Sequence, residues 1–265
     1  MHCNCNRTFG AGPNRPASKP VPEGLDWESW LGPAPYRDYH EGPHPFNWRG
    51  YLDFGTGSIG DMGCHTMDGG IWALKLNEVD SVDVTAEKGS INSEGFAGAA
   101  RIVFKFPARG DMPPVTLTWW NGGGSNMPPR PDALEDKRKQ LSQGTYYYGS
   151  KGVMMSGSHC QGVRLIPEDF HKETGKPDQL VERVPGHTQD WIRACKDSTA
   201  PAPCSNFEYS TRLTEIVLLG TTALKYSTGK TLKYDFKKGE FTNEPNANEL
   251  LYRAPRKGWE YGYKA

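Results

Sequence analysis

The chain has 265 residues, a mass of 29.4 kDa and 31 basic against 31 acidic side chains, so its formal net charge is zero. A neutral chain lacks the positive field that non-specific nucleic-acid binding requires, and no apolar run of about 18 residues is present to span a bilayer. With 11% aromatic residues and a mean hydropathy of −0.69, the composition indicates a globular protein.

Residues 1–57 are predicted to form a long, irregular, aromatic-rich arm. Glycine and proline recur between Gly10 and Pro45 and oppose regular helices and strands. The same stretch carries more aromatic side chains than a disordered linker would. These are Trp27, Trp30, Tyr36, Tyr39, Phe46, Trp48, Tyr51 and Phe54. We therefore expect the arm to be ordered and to pack on the rest of the chain through its rings.

The remaining elements follow from apolar spacing. A helical period predicts a helix over residues 58–76, and a period of two over 79–168 predicts an antiparallel sheet with one buried face. The alternation marks five strands, around residues 82–84, 102–106, 115–119, 146–148 and 163–165. The helical period returns over 186–226, and 227–265 is predicted to hold one more strand and an irregular tail. This grouping indicates a single α+β domain over 1–265: a large, predominantly antiparallel open sheet with helices on one face.

The run Gly55–Gly60 matches the pattern G-x-G-x-x-G of dinucleotide-binding folds. Such folds place an apolar strand before the motif, but residues 48–54 carry charges, and no second βαβ half follows. We therefore favour a tight glycine turn that leads into a helix N-terminus, and we expect this chain alone to bind no cofactor.

Asp61 and His65 are four residues apart and are predicted to share one helix face, with Asp68 further along it. A carboxylate one turn from an imidazole can hold the ring in one tautomer and tune its pKa near neutrality, which suits acid/base catalysis. A capping aspartate beside a buried histidine explains the same spacing. Three ligands on one helix face rarely converge on one ion, so no metal site is predicted.

Several segments resemble the Gfo/Idh/MocA oxidoreductases. They are Trp30–Pro35, Trp48–His65, Gly186–Trp191, Leu213–Gly220 and Asn246–Asn248. The resemblance covers nearly the whole chain but only the family's C-terminal, substrate-binding domain, without its N-terminal Rossmann domain. It implies that His2–Arg7 is the first strand of this domain. It implies a carbohydrate substrate, and NAD(P) that arrives on a separate Rossmann-domain subunit.

The resemblance also implies roles for individual residues. Asp61 and His65 match the family's D-x-x-x-H pair, in which the histidine is the acid/base on a sugar hydroxyl. Arg49 and His187 are candidates for substrate contact, and Asp68 and Trp119 complete the predicted substrate-binding set. A surface arginine, a helix N-terminal histidine and a core tryptophan would explain the same residue types.

Three functions remain open. The first is the substrate domain of a sugar (polyol or glycoside) oxidoreductase. The second is an NAD-independent lyase, hydratase or epimerase that transfers protons on keto-sugars. The third is a non-catalytic sugar-binding or assembly domain, with rings such as Trp119, Trp120 and Tyr146–Tyr148 on sugar faces. We also expect a homo-oligomer through the open sheet. No signal peptide is visible, which predicts a cytoplasmic protein, or a periplasmic one if the chain continues upstream.

Overall fold

A computed structural model describes residues 1–89, 91–96 and 98–260. Residues 90 and 97 of the predicted sheet region, and 261–265 of the predicted tail, lie outside this description. Within the described residues, nine strands form one sheet in the order β7-β6-β5-β1-β4-β3-β2-β8-β9. The strands are β1 His2–Cys5, β2 Ser81–Lys88, β3 Ala100–Phe106, β4 Val115–Asn121, β5 Gly144–Gly149, β6 Gly152–Gly157, β7 Arg164–Ile166, β8 Thr231–Asp235 and β9 Glu240–Phe241.

The sheet is antiparallel at every pairing except that of β1 with β4. β1 lies in the middle, between β4 and β5, with Cys3 opposite Trp119 on one side and Thr145 on the other. The predicted α+β class with a large, mostly antiparallel open sheet is therefore confirmed. The strand that the resemblance implies at His2–Arg7 is therefore present, as β1. The prediction from composition that residues 1–57 are irregular was wrong at this strand and at the short helix Trp27–Leu31.

Six α-helices lie in the described part of the chain. They are α1 Trp27–Leu31, α2 Gly57–Thr66, α3 Asp68–Ala73, α4 Glu168–Thr174, α5 His187–Lys196 and α6 Phe207–Tyr226. The side chain of Asn206 caps α6 by accepting a hydrogen bond from the Tyr209 amide at 3.0 Å. None of the described helices combines the length and the apolar character that crossing a bilayer requires.

The predicted helix over residues 58–76 is two helices. In a continuous helix the Thr66 carbonyl would accept from the Gly70 amide. That amide instead donates to the carbonyl of Met67 at 3.1 Å, and the Thr66 carbonyl accepts from the Thr145 hydroxyl of β5 at 2.6 Å. The sheet therefore diverts one helical hydrogen bond, and α3 starts anew at Asp68.

The main core lies between one face of the sheet and helices α2, α3 and α6. Fully buried strand residues such as Phe104 and Leu117 meet Ile59 of α2 and Ile216 of α6 there. The other sheet face is also partly covered, because Leu134 and neighbouring residues pack on Tyr146, which is 0% exposed. The expectation of a single buried face was therefore too simple.

The arm is ordered, as its aromatic content predicts. Trp27 and Trp30 stack at a centroid distance of 4.7 Å, and the Trp27 indole donates to the Arg37 carbonyl at 2.9 Å. The Arg37 side chain is almost fully buried and donates to the carboxylates of Asp53, at 3.0 Å, and Glu94. A paired, hydrogen-bonded guanidinium can be buried at acceptable cost. Rings and one buried ion cluster thus fix the arm.

Candidate functional site

The glycine run that precedes α2 is required by the packing of this chain on itself. A Cβ atom at Gly55 would lie 2.2 Å from the Arg49 carbonyl oxygen, and one at Gly57 would lie 2.8 Å from the Phe96 ring. Gly57 also has a φ of +69°, which favours glycine. Residues 47–50 form a 3-10 turn where a dinucleotide fold would have a strand. Close packing of Arg49 and Phe96 therefore accounts for these two glycines without a bound nucleotide.

Arg49 and Asp61 form an ion pair beside the start of α2. The Arg49 Nε atom lies 2.8 Å from Asp61 Oδ1, and its guanidinium is held over the rings of Phe46, at 4.4 Å, and Trp48, at 4.5 Å. Among the described hydrogen bonds, Asp61 makes none to His65. The Asp61 carboxylate therefore binds Arg49. The sequence predicted that it would hold the His65 imidazole directly, but it only lies near that ring on the same helix.

A second histidine faces His65. The rings of His65 and His159 lie 4.4 Å apart between centroids, at an interplanar angle of 38°. His159 sits in the loop between β6 and β7, where it and Cys160 both have left-handed backbones, with φ of 64° and 55°. Two consecutive non-glycine residues in this region are unusual and cost conformational energy. The backbone of this loop places the second imidazole against the first.

The electrostatic surroundings favour a neutral His65. Partial burial lowers the pKa of the His65 imidazole, and the neighbouring His159 lowers it further. Asp61 and Asp68 act in the opposite direction but do not outweigh these effects. At pH 7 the ring is therefore an unprotonated imidazole, which can accept a proton from a substrate group.

Asp68 has a partner of its own on α6. The Tyr209 hydroxyl donates to Asp68 Oδ1 at 2.5 Å, and burial followed by the contact with Asp68 raises the Tyr209 pKa. On the other side of α3, a Cβ atom at Gly69 would lie 2.2 Å from the Cys160 sulfur. Asp68 thus ties α3 to α6, while Gly69 lets the loop that carries His159 approach α3 closely.

Two predicted substrate-binding residues lie away from this group. Trp119 is 0% exposed in the main core, and its indole donates to Asn121 Oδ1 at 3.2 Å. Its ring cannot stack on a substrate, which corrects that prediction. His187 is exposed at the first position of α5, and the described hydrogen bonds and ring contacts do not join it to His65. Its predicted role therefore stays a prediction.

Sequence reasoning missed His159. The residue lies in a short polar loop with no periodic pattern around it, and it follows His65 by more than ninety positions. Its contact with His65 depends on the pairing of β6 with β5 and on the left-handed loop backbone. The local sequence offers no signal for this contact.

Comparison with protein-family models finds a match that covers the first part of the chain. Residues 6–111 match the model described as "Oxidoreductase family, C-terminal alpha/beta domain", that of the Gfo/Idh/MocA group. This segment belongs to the Gfo/Idh/MocA oxidoreductases, in their C-terminal domain. The match includes Arg49, Asp61, His65 and Asp68 of the C-terminal domain, whereas His159 lies outside it. No curated protein matches the chain.

The two histidines and Asp61 lie outside the large cavities of the chain. One cavity of about 780 Å³ and another of about 820 Å³ are present, and His65, Asp61 and His159 line neither of them. Within residues 1–89, 91–96 and 98–260, no three His, Cys, Asp or Glu side chains are grouped so as to hold a metal ion. The two histidines therefore form an open surface site.

Proposed function

We propose that this chain is the substrate-binding part of a sugar oxidoreductase, with His65 as the acid/base. The observation that carries the proposal is the ring contact between a neutral His65 and His159 on the surface of the family segment. A neutral imidazole can take the proton of a sugar hydroxyl as that hydroxyl becomes a carbonyl. The carboxylate of Asp61 would then stabilise the imidazolium that forms, because it favours the protonated ring.

The open position of His65 supports a site completed by another surface. Enzyme sites that bind small molecules are normally concave and exclude water. We propose that a nucleotide-binding domain outside these residues covers the two histidines and brings NAD(P). The close packing of Arg49 and Phe96 on Gly55 and Gly57 supports a structural role for the glycine turn. Assembly of copies through the open sheet is a second proposal of the same kind.

An NAD-independent proton transfer on keto-sugars is the second candidate. The specific observation in its favour is that two imidazoles, one to accept and one to donate a proton, lie 4.4 Å apart on this chain alone. Such a lyase or epimerase would need no hydride acceptor. Of the rings that support the non-catalytic sugar-binding alternative, Trp119 and Tyr146 are fully buried, whereas Tyr148 is 44% exposed.

The test is ligand binding followed at the histidine rings. We expect a keto-sugar or a polyol to shift the ring C–H signals of His65 and His159 in NMR spectra, and His65→Gln to abolish the shift at His159. Gln161→Ala, an exposed change in the loop of His159, serves as the control and should keep it. Shifts that survive His65→Gln, or that are absent for every sugar, would overturn the assignment.

A second measurement separates the two candidates. In D₂O without NAD(P), the proton-transfer candidate predicts exchange of the C–H next to a keto-sugar carbonyl, and His65→Gln should slow it by about 10²–10⁴-fold. The oxidoreductase candidate predicts no such exchange. Titration of the chain with NAD(P) should show no saturable binding, and tight binding would contradict our interpretation of the glycine turn.

A further inference from the structure

The cavity of about 780 Å³ lies between the arm and the C-terminal segment, away from His65. Its walls combine aromatic rings with two cations. Trp30, Trp48 and Phe54 come from the arm, Lys225 from the end of α6, and Arg253 from the C-terminal segment. Nothing in the chemistry of His65 accounts for these residues, so the cavity requires an explanation of its own.

The two cations have no acidic partner in the described part of the chain. No carboxylate oxygen among the described residues lies within 4.0 Å of the Lys225 ammonium or the Arg253 guanidinium, and Arg253 donates instead to the Gly55 carbonyl at 3.0 Å. Asp53 also lines the cavity, but its carboxylate is paired with Arg37 at 3.0 Å. Glu249 also lines the cavity but is exposed, and Asp53 favours the charge of both cations only from a distance. Two neighbouring cations whose nearby carboxylate is shared with Arg37 are costly unless an anion joins them.

The pKa values of the two cations also indicate that their charged forms are disfavoured in this cavity. Burial, and next the charge of Arg253, lowers the pKa of Lys225 to about 8, and the opposing effect of Asp53 does not outweigh them. Burial also lowers the pKa of Arg253. An anion placed between the two groups would reverse both effects, because an opposite charge favours the protonated forms. A bound anion would therefore stabilise the cations of this cavity more than it would stabilise an exposed lysine and arginine.

The rings define the rest of the ligand. Trp30 and Trp48 are half-buried, so each offers part of an aromatic face to the cavity. Small-molecule sites combine such apolar walls with a few polar groups that fix orientation. A guanidinium recognises carboxylate and phosphate groups in two-point geometry, and lysine adds a point charge. The lining thus suits a ring compound that carries one anionic group.

We infer that this cavity binds an anionic sugar, a sugar acid or a sugar phosphate, with its anionic group on Lys225 and Arg253 and its ring against Trp30 and Trp48. The cavity does not include His65, but Trp48 lines the cavity and also contacts Arg49 near His65. Its ring lies 4.5 Å from the Arg49 guanidinium, which is paired with Asp61. A ligand against Trp48 would therefore touch a residue that positions the ion pair beside α2.

The experiment is calorimetric titration of the chain with glucuronate, glucose 6-phosphate, neutral glucose and inorganic phosphate. We expect one of the two anionic sugars to bind at least about tenfold more tightly than glucose and than phosphate, since both the ring and the charge contribute. Which of the two binds distinguishes a carboxylate from a phosphate ligand. Equal binding of glucose, binding of phosphate as tight as that of the sugars, or no binding would overturn the inference.

Matched variants locate the binding. Lys225→Met and Arg253→Met should each weaken the anionic sugar by about tenfold or more, whereas Lys238→Met, an exposed lysine in the turn between β8 and β9, should leave it unchanged. Between pH 7 and pH 9 the wild-type affinity should fall, because Lys225 loses its charge near its pKa of about 8. Lys225→Arg should remove that pH dependence. Unchanged affinity in Lys225→Met would refute the assignment.

Discussion

The surface around His65 and the cavity around Lys225 are built in opposite ways. At the surface, the imidazoles of His65 and His159 lie in ring contact, outside both large cavities. The cavity has a volume of about 780 Å³ and two cations, but its lining includes neither imidazole. One region offers reactive groups without an enclosure, and the other offers an enclosure without them.

The difference suggests a division between chemistry and recognition. A proton-transferring group needs a tuned pKa and access to the substrate, and a second surface can supply the enclosure. A recognition site needs fixed walls and charges, which the arm and the C-terminal segment supply. The ion pair of Arg49 with Asp61, next to Trp48, is where the two regions meet. The following predictions separate them, from the largest expected effect to the smallest.

The largest effect should come from Arg37→Met, which removes the buried cation of the arm. Glu94 is only 7% exposed and would lose one of its two arginine partners, and Asp53 would lose its only ion pair among the described residues. We expect the free energy of unfolding to fall by about 3–5 kcal/mol in urea titrations at pH 7. The wall of the cavity should loosen, while the ring signals of His65 and His159 stay near their wild-type positions.

The matched control for Arg37 is Lys19→Met. Lys19 pairs with Glu41 at 2.7 Å, but both side chains are more than half exposed, so the loss should be below about 1 kcal/mol.

The stabilisation by the buried ion cluster should also depend on pH. The hydrogen bonds from the two arginines outweigh the effect of burial and lower the pKa of Glu94. Their contribution is therefore present above the ordinary glutamate pKa and is lost as the pH falls through the lowered one. Equal losses in the two variants would contradict the buried-ion account of the arm.

A smaller effect, confined to the His65 surface, should follow from Gly69→Ala. The new methyl group would meet the Cys160 sulfur at 2.2 Å and push away the loop that carries His159. We expect a loss of about 1–3 kcal/mol in unfolding free energy and a shifted His159 ring signal. The cavity around Lys225 should bind its ligand as before.

Two further variants test that explanation. Adding Cys160→Ala to Gly69→Ala removes the clashing sulfur, so the double variant should recover most of the loss in a double-mutant cycle. Gly12→Ala should be nearly neutral, because a Cβ atom there meets nothing within 4 Å. Failure of the double variant to recover would show that the loop is not held away by this contact.

The smallest effect should be a pair of opposite pKa changes at His65. His159→Gln removes a group that lowers the His65 pKa, so that pKa should rise. Asp61→Asn removes a carboxylate that raises it, so that pKa should fall further. NMR titration of the His65 ring measures both, and the acidic limb of any activity profile should move with them. Shifts in the same direction would contradict the arrangement.

How much of this could be predicted depended on the range of the interactions. Strands β2 to β4 and helix α6 carry clear apolar periods, and their positions were predicted from the sequence within a few residues. β6 was missed because its sequence, GVMMSG, has glycines at both ends and no alternation. The apolar pattern therefore predicts an element when the burial of one of its faces determines which residues it contains.

Contacts between distant segments were beyond such patterns. The break after Thr66 depends on the hydroxyl of Thr145, and the contact of His65 with His159 depends on a loop after β6. Trp119 was assigned to substrate because aromatic residues suit sugars, but its alternate position in β4 points it into the main core. The sequence therefore identified candidate residues of the site, whereas the residues that contact them in space depend on how the strands pair.

The central place of β1 has a consequence for how the chain folds. β1 is hydrogen-bonded to β4 and to β5, so it alone joins the half-sheet β4-β3-β2-β8-β9 to the half-sheet β5-β6-β7. At translation rates of about 5–20 residues per second, these first residues wait roughly 7–30 s for β5 to be made. Until then the edge of β1 that will pair with β5 is unprotected and open to wrong pairings. The two half-sheets therefore join only when β5 reaches this strand, which precedes it by more than a hundred residues.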